Sequence, residues 1–367
     1  MPLITLDNEQ KMIQSEVRKF ATSSLEPISS EIDKNAVISD DIFKKLNDLG
    51  LLYPIIPSQY SGAGMNATSL CIIIEEISKS LASLGAILVV NNSVCAFLID
   101  QWAGDGQKKK YFNLMNSGKI MGYVMEPQVD PEGTDASIDS AGAVTGKRNF
   151  ALNAMYADSM LVPFTGKESM AAVIINKKDK GVKLSKIDLL GLNAAGIMSA
   201  EFMGLSVSPE ARIKPSGAKS TSHLSAFTQL GFSAVLLGIS QAGLDAAVKY
   251  SKERKQFGRA ICEFYMVQEM LVNMKVRIEA GRNLVYDAAF KYDHKEDFTL
   301  ASMLCFIHAC DTAVYCGLNA IQVHGGYGYT KDYPVERYLR DAKTVQNIAG
   351  VGYTVKEQVA RDLLGKS

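Results

Sequence analysis

The chain has 367 residues, 47% of them apolar, and its 39 Lys and Arg balance 39 Asp and Glu. That length exceeds a single typical core and predicts two or three domains. The balanced charge argues against a whole-chain field that draws in nucleic acid or an anionic membrane, so any anionic ligand must be held by local groups. Cys71, Cys95, Cys262, Cys305, Cys310 and Cys316 show no CxxC spacing, and the four histidines form no HExxH. With no GxSxG elbow either, zinc chemistry and triad hydrolysis both lose ground.

The first element is charged throughout, without a signal-peptide core. The longest apolar run, around LASLGAILVVNNSVCAFLI, is broken by Asn91, Asn92 and Ser93. The expectation is a cytoplasmic chain with no run long enough to cross a bilayer, this longest one suiting a buried helix better. Apolar residues at helical spacing predict an N-terminal helical domain over 1–118. Asp7 and Gln10 stand at capping-box spacing, and Gly50 is placed to end the helix of DDIFKKLNDLGLL. Glu75 and Glu76 read as members of a solvated helix face.

From 119 to 223 the texture changes to short β-branched and aromatic runs such as IMGYVMEP, SMLVPFTG and MAAVIINK. These predict a small antiparallel β-barrel as the middle domain, closed by the polar stretch KPSGAKSTSH. Helical periodicity returns over 224–367, with segments near 225–253, 263–292, 297–325 and 334–364. The fold class is therefore α+β and mainly helical, ending in a four-helix bundle.

Two C-terminal strings carry chemistry: YSKERKQFGRAI at 250–261 and QVHGGYGYTKDYPVERYLRDAK at 322–343. Arg254 offers a permanently charged planar fork suited to a diphosphate, and Phe257 beside Gly258 offers a flat surface with close backbone approach. Gln322, Gly325 and Gly326 form a turn whose bare amides can meet phosphate oxygens at a helix boundary. Taken singly, Arg254 reads as well as a surface ion-pair partner, the glycines as a plain turn, and His324 as a packed or interface histidine.

Together with the order helices, barrel, helices, these strings make the chain resemble the acyl-CoA dehydrogenase superfamily along essentially its whole length. The resemblance implies FAD as cofactor, an acyl-CoA thioester oxidised between its α and β carbons or reduced in reverse, and an electron-transfer flavoprotein as acceptor. It implies that Arg254, Phe257, Gln322, Gly325 and Gly326 reach across a subunit interface to hold the ADP half of a neighbour's FAD. It also places an acyl pocket along Ile87, Val90, Val94 and Leu98.

The same resemblance exposes losses. Ala349 stands where most members carry the glutamate base, and Thr228 at the alternative position, followed by Gln229 in place of arginine. Met125 replaces a hydroxyl that bonds the flavin, Leu152 a threonine, and Phe150 the covering tryptophan. Glu126, Asp130, Glu132 and Asp135, or Asn91 and Cys95 on the pocket helix, are weak substitutes, so the catalytic residue is unknown. The expectation is a heteromer, a paired dimer or tetramer, in which a related glutamate-bearing chain supplies the base and the flavin-ring site. The alternatives are a homo-oligomer with a non-standard base, a noncatalytic structural subunit, and a flavin monooxygenase on the same scaffold.

Overall fold

The computed structural model describes residues 5–125, 136–139, 142–165, 170–214, 220–348 and 352–365. Seven α-helices come first among them: α1 (Asn8–Phe20), α2 (Ser29–Asn35), α3 (Asp40–Asp48), α4 (Ala67–Ser80), α5 (Ala82–Val89), α6 (Phe97–Trp102) and α7 (Asp105–Asn116). The capping box at the start of α1 forms: Asp7 Oδ1 accepts from Gln10 N at 2.8 Å while Gln10 Oε1 accepts from Asp7 N at 3.1 Å. Gly50, at φ 69°, follows α3 in the left-handed region. A π-helical turn, Val90–Ala96, joins α5 to α6.

Two expectations fail here. Glu75 and Glu76 are not solvated; each is 1% exposed, because α4 is enclosed by α1 on one side and C-terminal helices on the other. Glu76 accepts from Arg18 at 2.8 Å and Lys79 at 2.8 Å, and Glu75 from Arg282 at 2.8 Å and the Tyr286 hydroxyl at 3.1 Å. Both carboxylates are thus buried with partners, the condition under which burial is tolerated. Second, three helices are long and apolar enough to cross a bilayer: Ala82–Trp102, Thr221–Glu253 and Thr299–Tyr329. Asn91, Asn92 and Ser93 do not interrupt the first, and its apolar window is wholly buried inside the fold.

The middle of the chain forms β1 (Met121–Val124), β2 (Ser137–Ile138), β3 (Ala143–Leu152), β4 (Ser159–Thr165), β5 (Met170–Asn176), β6 (Val182–Lys186), β7 (Met198–Ser206) and β8 (Arg212–Ile213). They make one sheet in the order β6-β7-β3-β1-β4-β5-β8, with β2 on β3. The pairing is antiparallel except for β1 and β4, which run parallel. The chain leaves β1, returns beside it as β3, and then crosses to its far edge as β4. Arg148, on β3, is buried and donates to the carbonyls of Met125 at 2.8 Å and Ala136 at 3.2 Å, tying together the two ends that flank 126–135.

The C-terminal part holds α8 (Ser220–Glu253), a hairpin of β9 (Lys255–Gln256) and β10 (Arg259–Ala260), α9 (Tyr265–Asp293), α10 (Thr299–His324), α11 (Val335–Ile348) and α12 (Gly352–Leu364). Within the segment expected to be helical near 334–364, the described residues are helical over Val335–Ile348 and Gly352–Leu364. All three regions meet at one junction on α11. Asp341 Oδ1 accepts from Leu192 N at 2.7 Å, Arg340 donates to Asp33 at 2.7 Å, and Asn193 donates to the Asp33 carbonyl at 3.3 Å.

Candidate functional site

At the end of α8, Arg254 N donates to Tyr250 O at 2.8 Å, and Ile261 N closes the hairpin onto Arg254 O at 2.9 Å. The two-residue turn between β9 and β10 needs positive φ at both positions. Phe257 adopts φ 52° and Gly258 φ 81°. Phe257 does so at 93% exposure, with an edge contact to Phe264 at 6.3 Å between centroids, an uncommon conformation for an aromatic residue. Beside the hairpin, α10 ends at Gly325, φ 59°, and a 3-10 turn runs through Gly325–Tyr329. A Cβ on Gly325 or Gly326 would meet nothing within 4 Å, so the backbone here borders open space.

Between these two elements lies an open cavity of about 470 Å³, lined by Tyr250, Arg254, Gln256, Ile261, Val323, His324, Gly325, Gly326, Tyr327 and Thr330. Among the described residues no carboxylate lies within 4 Å of the Arg254 guanidinium, so the ion-pair reading of this arginine has no partner to rest on. Of the five expected clamp residues, the fold brings Arg254, Gly325 and Gly326 together around one space. Phe257 and Gln322 are exposed and stand outside its wall. Sequence reasoning missed Tyr250, Gln256, His324, Tyr327 and Thr330. Their signal was adjacency: Tyr250 lies one turn before Arg254, and His324 directly precedes the glycine pair.

His324 is buried and stacks on Tyr250 at 4.2 Å between ring centroids, with Tyr333 edge-on at 5.1 Å. Its Nδ1 lies 2.8 Å from Ala320 O, and burial holds its pKa below the ordinary histidine value. The ring also borders a second, larger cleft of about 1370 Å³ between the N-terminal helices, α8 and the start of α11.

The other half of the expected site has a different character. Met125, Leu152 and Gln229 are 5%, 4% and 7% exposed, and Phe150 is half-buried against the apolar core that holds Met125 and Leu152. Met125 N donates to Phe150 O at 2.9 Å, which brings two of the positions expected to face the flavin side by side. The Thr228 hydroxyl is committed to Leu224 O of its own helix at 2.8 Å. Gln229 Oε1 is buried with no donor among the described residues. Ala349 and the acids Glu126, Asp130, Glu132 and Asp135 lie outside the described residues.

The substitute bases fare poorly. Burial pushes the Cys95 thiol far up, and its Sγ donates to Gly122 O at 3.5 Å; Asn91 Oδ1 accepts from Asn153 at 3.3 Å. Asp341, pushed up to about 7 by burial, has the affinity for a proton that a base needs, but its oxygen is committed to Leu192 N at the domain junction. Ile87, Val90, Val94 and Leu98 are all buried in the core. Phe97, Phe227 and Tyr292 fill the seam between α6, α8 and α9, with centroids 4.7 and 4.5 Å apart.

A helical region, a sheet and a second helical region, with an arginine that has no carboxylate partner among the described residues and a glycine turn at one end of the bundle, are the arrangement expected of the acyl-CoA dehydrogenase fold. The profile of the acyl-CoA dehydrogenase N-terminal domain matches residues 7–119, and that of the acyl-CoA dehydrogenase C-terminal domain residues 217–364. The short-chain specific acyl-CoA dehydrogenase of Clostridium acetobutylicum is 32% identical over 96% of this chain and 97% of its own. Acryloyl-CoA reductase (NADH) of Anaerotignum propionicum is 30% identical over 98% and 95%. The structure of butyryl-CoA dehydrogenase from Megasphaera elsdenii superposes with a TM-score of 0.91 at 28% identity, over 98% of this chain and 99% of that one. The chain belongs to the acyl-CoA dehydrogenase family, whose members are oxidoreductases acting on the CH–CH group of acyl-CoA.

Members of this family bind FAD. The described residues fit one half of that cofactor. Arg254, with no carboxylate partner among the described residues, lines a cavity together with Gly325 and Gly326, which suits a diphosphate. They fit the polar edge of the ring poorly, since Met125 and Leu152 offer no hydrogen-bond donor and both are covered by the chain's own core.

Proposed function

We propose that this chain is a subunit of an acyl-CoA oxidoreductase, and that its clamp completes the FAD site of a related, glutamate-bearing partner in a paired dimer or tetramer. The observation that supports this most is the sorting of the site. Groups that would be donated to a neighbour are open and unpaired, whereas groups that would receive a flavin ring are replaced by apolar side chains and buried. When bound, FAD supplies a hydride acceptor for the substrate's β carbon. The base on the partner takes the α proton, and an electron-transfer flavoprotein accepts the electrons. This chain's part is to bind and orient: the Arg254 fork meets phosphate oxygens by charge-assisted hydrogen bonds, and the bare amides of Gly325 and Gly326 add donors.

The test is to purify the chain alone and with a related acyl-CoA dehydrogenase, then measure flavin per chain and turnover of acyl-CoA. Flavin and activity that emerge only on co-purification, at about one flavin per pair of chains, support the heteromer. One flavin per chain with turnover in the isolated protein overturns it in favour of a homo-oligomer with another base. Oxygen-dependent product without acyl-CoA oxidation would make it a monooxygenase, and a complex lacking flavin would make it a structural subunit.

A further inference from the structure

We propose that His324 is a ligand of the clamp, and that it takes up one proton from solvent when a nucleoside diphosphate group enters the cavity. This rests on the clamp reading above and assigns a role to a residue outside the five expected ones. A carbonyl oxygen carries no proton, so the 2.8 Å contact between His324 Nδ1 and Ala320 O makes Nδ1 the donor. In the neutral ring Nε2 is then a hydrogen-bond acceptor, and it has no protein partner among the described residues. The ring is held in place by the Tyr250 stack and the Tyr333 edge contact, and it borders the same cavity as Arg254, Gly325 and Gly326.

An acceptor is the wrong partner for a phosphate oxygen; a protonated imidazole, with N–H at both nitrogens, is the right one. Charged and phenolic groups line the two cavities together with this histidine. From α8 they are Lys249, Tyr250, Glu253 and Arg254, and from the segment after α10 they are Tyr327, Lys331, Asp332 and Tyr333. Arg337 of α11 lines the larger cleft on the other side. The four cations among them outnumber the two acids, which does not favour the imidazolium, and burial holds its pKa down. A diphosphate adds negative charge beside Arg254 and reverses that balance.

The probe is ADP-ribose, whose diphosphate is capped on both sides and does not titrate near neutrality. Calorimetry of the full-length chain in buffers of different ionisation enthalpy, at about pH 6.5, counts protons taken up. The wild type should approach one proton per ligand and lose affinity as pH rises, by a factor of about ten for each unit by which the ligand raises the histidine pKa. His324→Gln should bind with no proton uptake and a flat profile. Because that variant alters a stacked core ring, the His324 ring resonance is also titrated in the wild type with and without ligand; an unchanged midpoint overturns the proposal. Arg254-dependent binding without proton uptake overturns it and leaves the clamp standing. No binding, or equal binding by Arg254→Ala, overturns the clamp and this inference together.

Discussion

The two ends of α8 treat polar groups in opposite ways. Near its start Gln229 is buried, and its acceptor oxygen has no donor among the described residues. Just beyond its other end Arg254 stands exposed with no carboxylate partner among the described residues, near glycines that border open space. Unsatisfied buried polar atoms cost stability, and exposed unpaired cations cost almost none. The first end is therefore enclosed by packing, and the second is left open at little cost in stability, as the proposed clamp requires.

The sharpest control on this contrast is an arginine of the other kind. Arg282 is paired with buried Glu75, and Arg282→Met leaves that carboxylate without its cation. Stability measured by denaturant should fall by about 3–5 kcal/mol, while the affinity for ADP-ribose of whatever fraction remains folded is unchanged. Loss of nucleotide binding without loss of stability would erase the distinction between the two arginines.

Asp341 tests whether the base truly lies elsewhere. Its pKa is about 7 in the folded chain, against 3.8 for an isolated aspartate carboxyl. The folded state thus holds the proton more tightly, so the contribution is fully present below about pH 4 and is lost as pH rises to about 7, up to about 4 kcal/mol. Asp341→Asn should flatten the stability profile across that window in pH-dependent melts. If it abolished acyl-CoA turnover in the assembled protein and left the melts unaltered, Asp341 would be a base and the contrast would break.

Arg254→Ala removes a charge-assisted contact worth about 1.5–3 kcal/mol, so nucleotide affinity should drop roughly tenfold to a hundredfold. Melting should stay within about 0.5 kcal/mol of wild type, as for other exposed positions. A fall in stability instead would return Arg254 to the role of a surface ion pair. Smaller still is the expected effect of Leu152→Thr, which restores a hydroxyl in a covered place and should destabilise by about 1–3 kcal/mol. If the isolated variant gained stability and retained flavin, the ring-facing half would be a vacant site and not a filled one.

Much of this protein is written locally. The capping box at Asp7, the turn at Gly50, the change from helical to alternating texture and back, and the strings around Arg254 and Gly325 each depend on neighbours a few residues away, so the amino-acid order alone determines them. The burial of Glu75 does not, because the arginine that permits it, Arg282, lies 207 positions along the chain. Nor does the parallel pairing of β1 with β4, which depends on where β3 returns, or the joining of Tyr250 and His324 to one cavity wall. A strand period or a cap is set by backbone geometry within a single element. The charge state of a carboxylate, the partner of a strand and the walls of a cavity are set by which distant elements pack together, and that is decided only when the core closes.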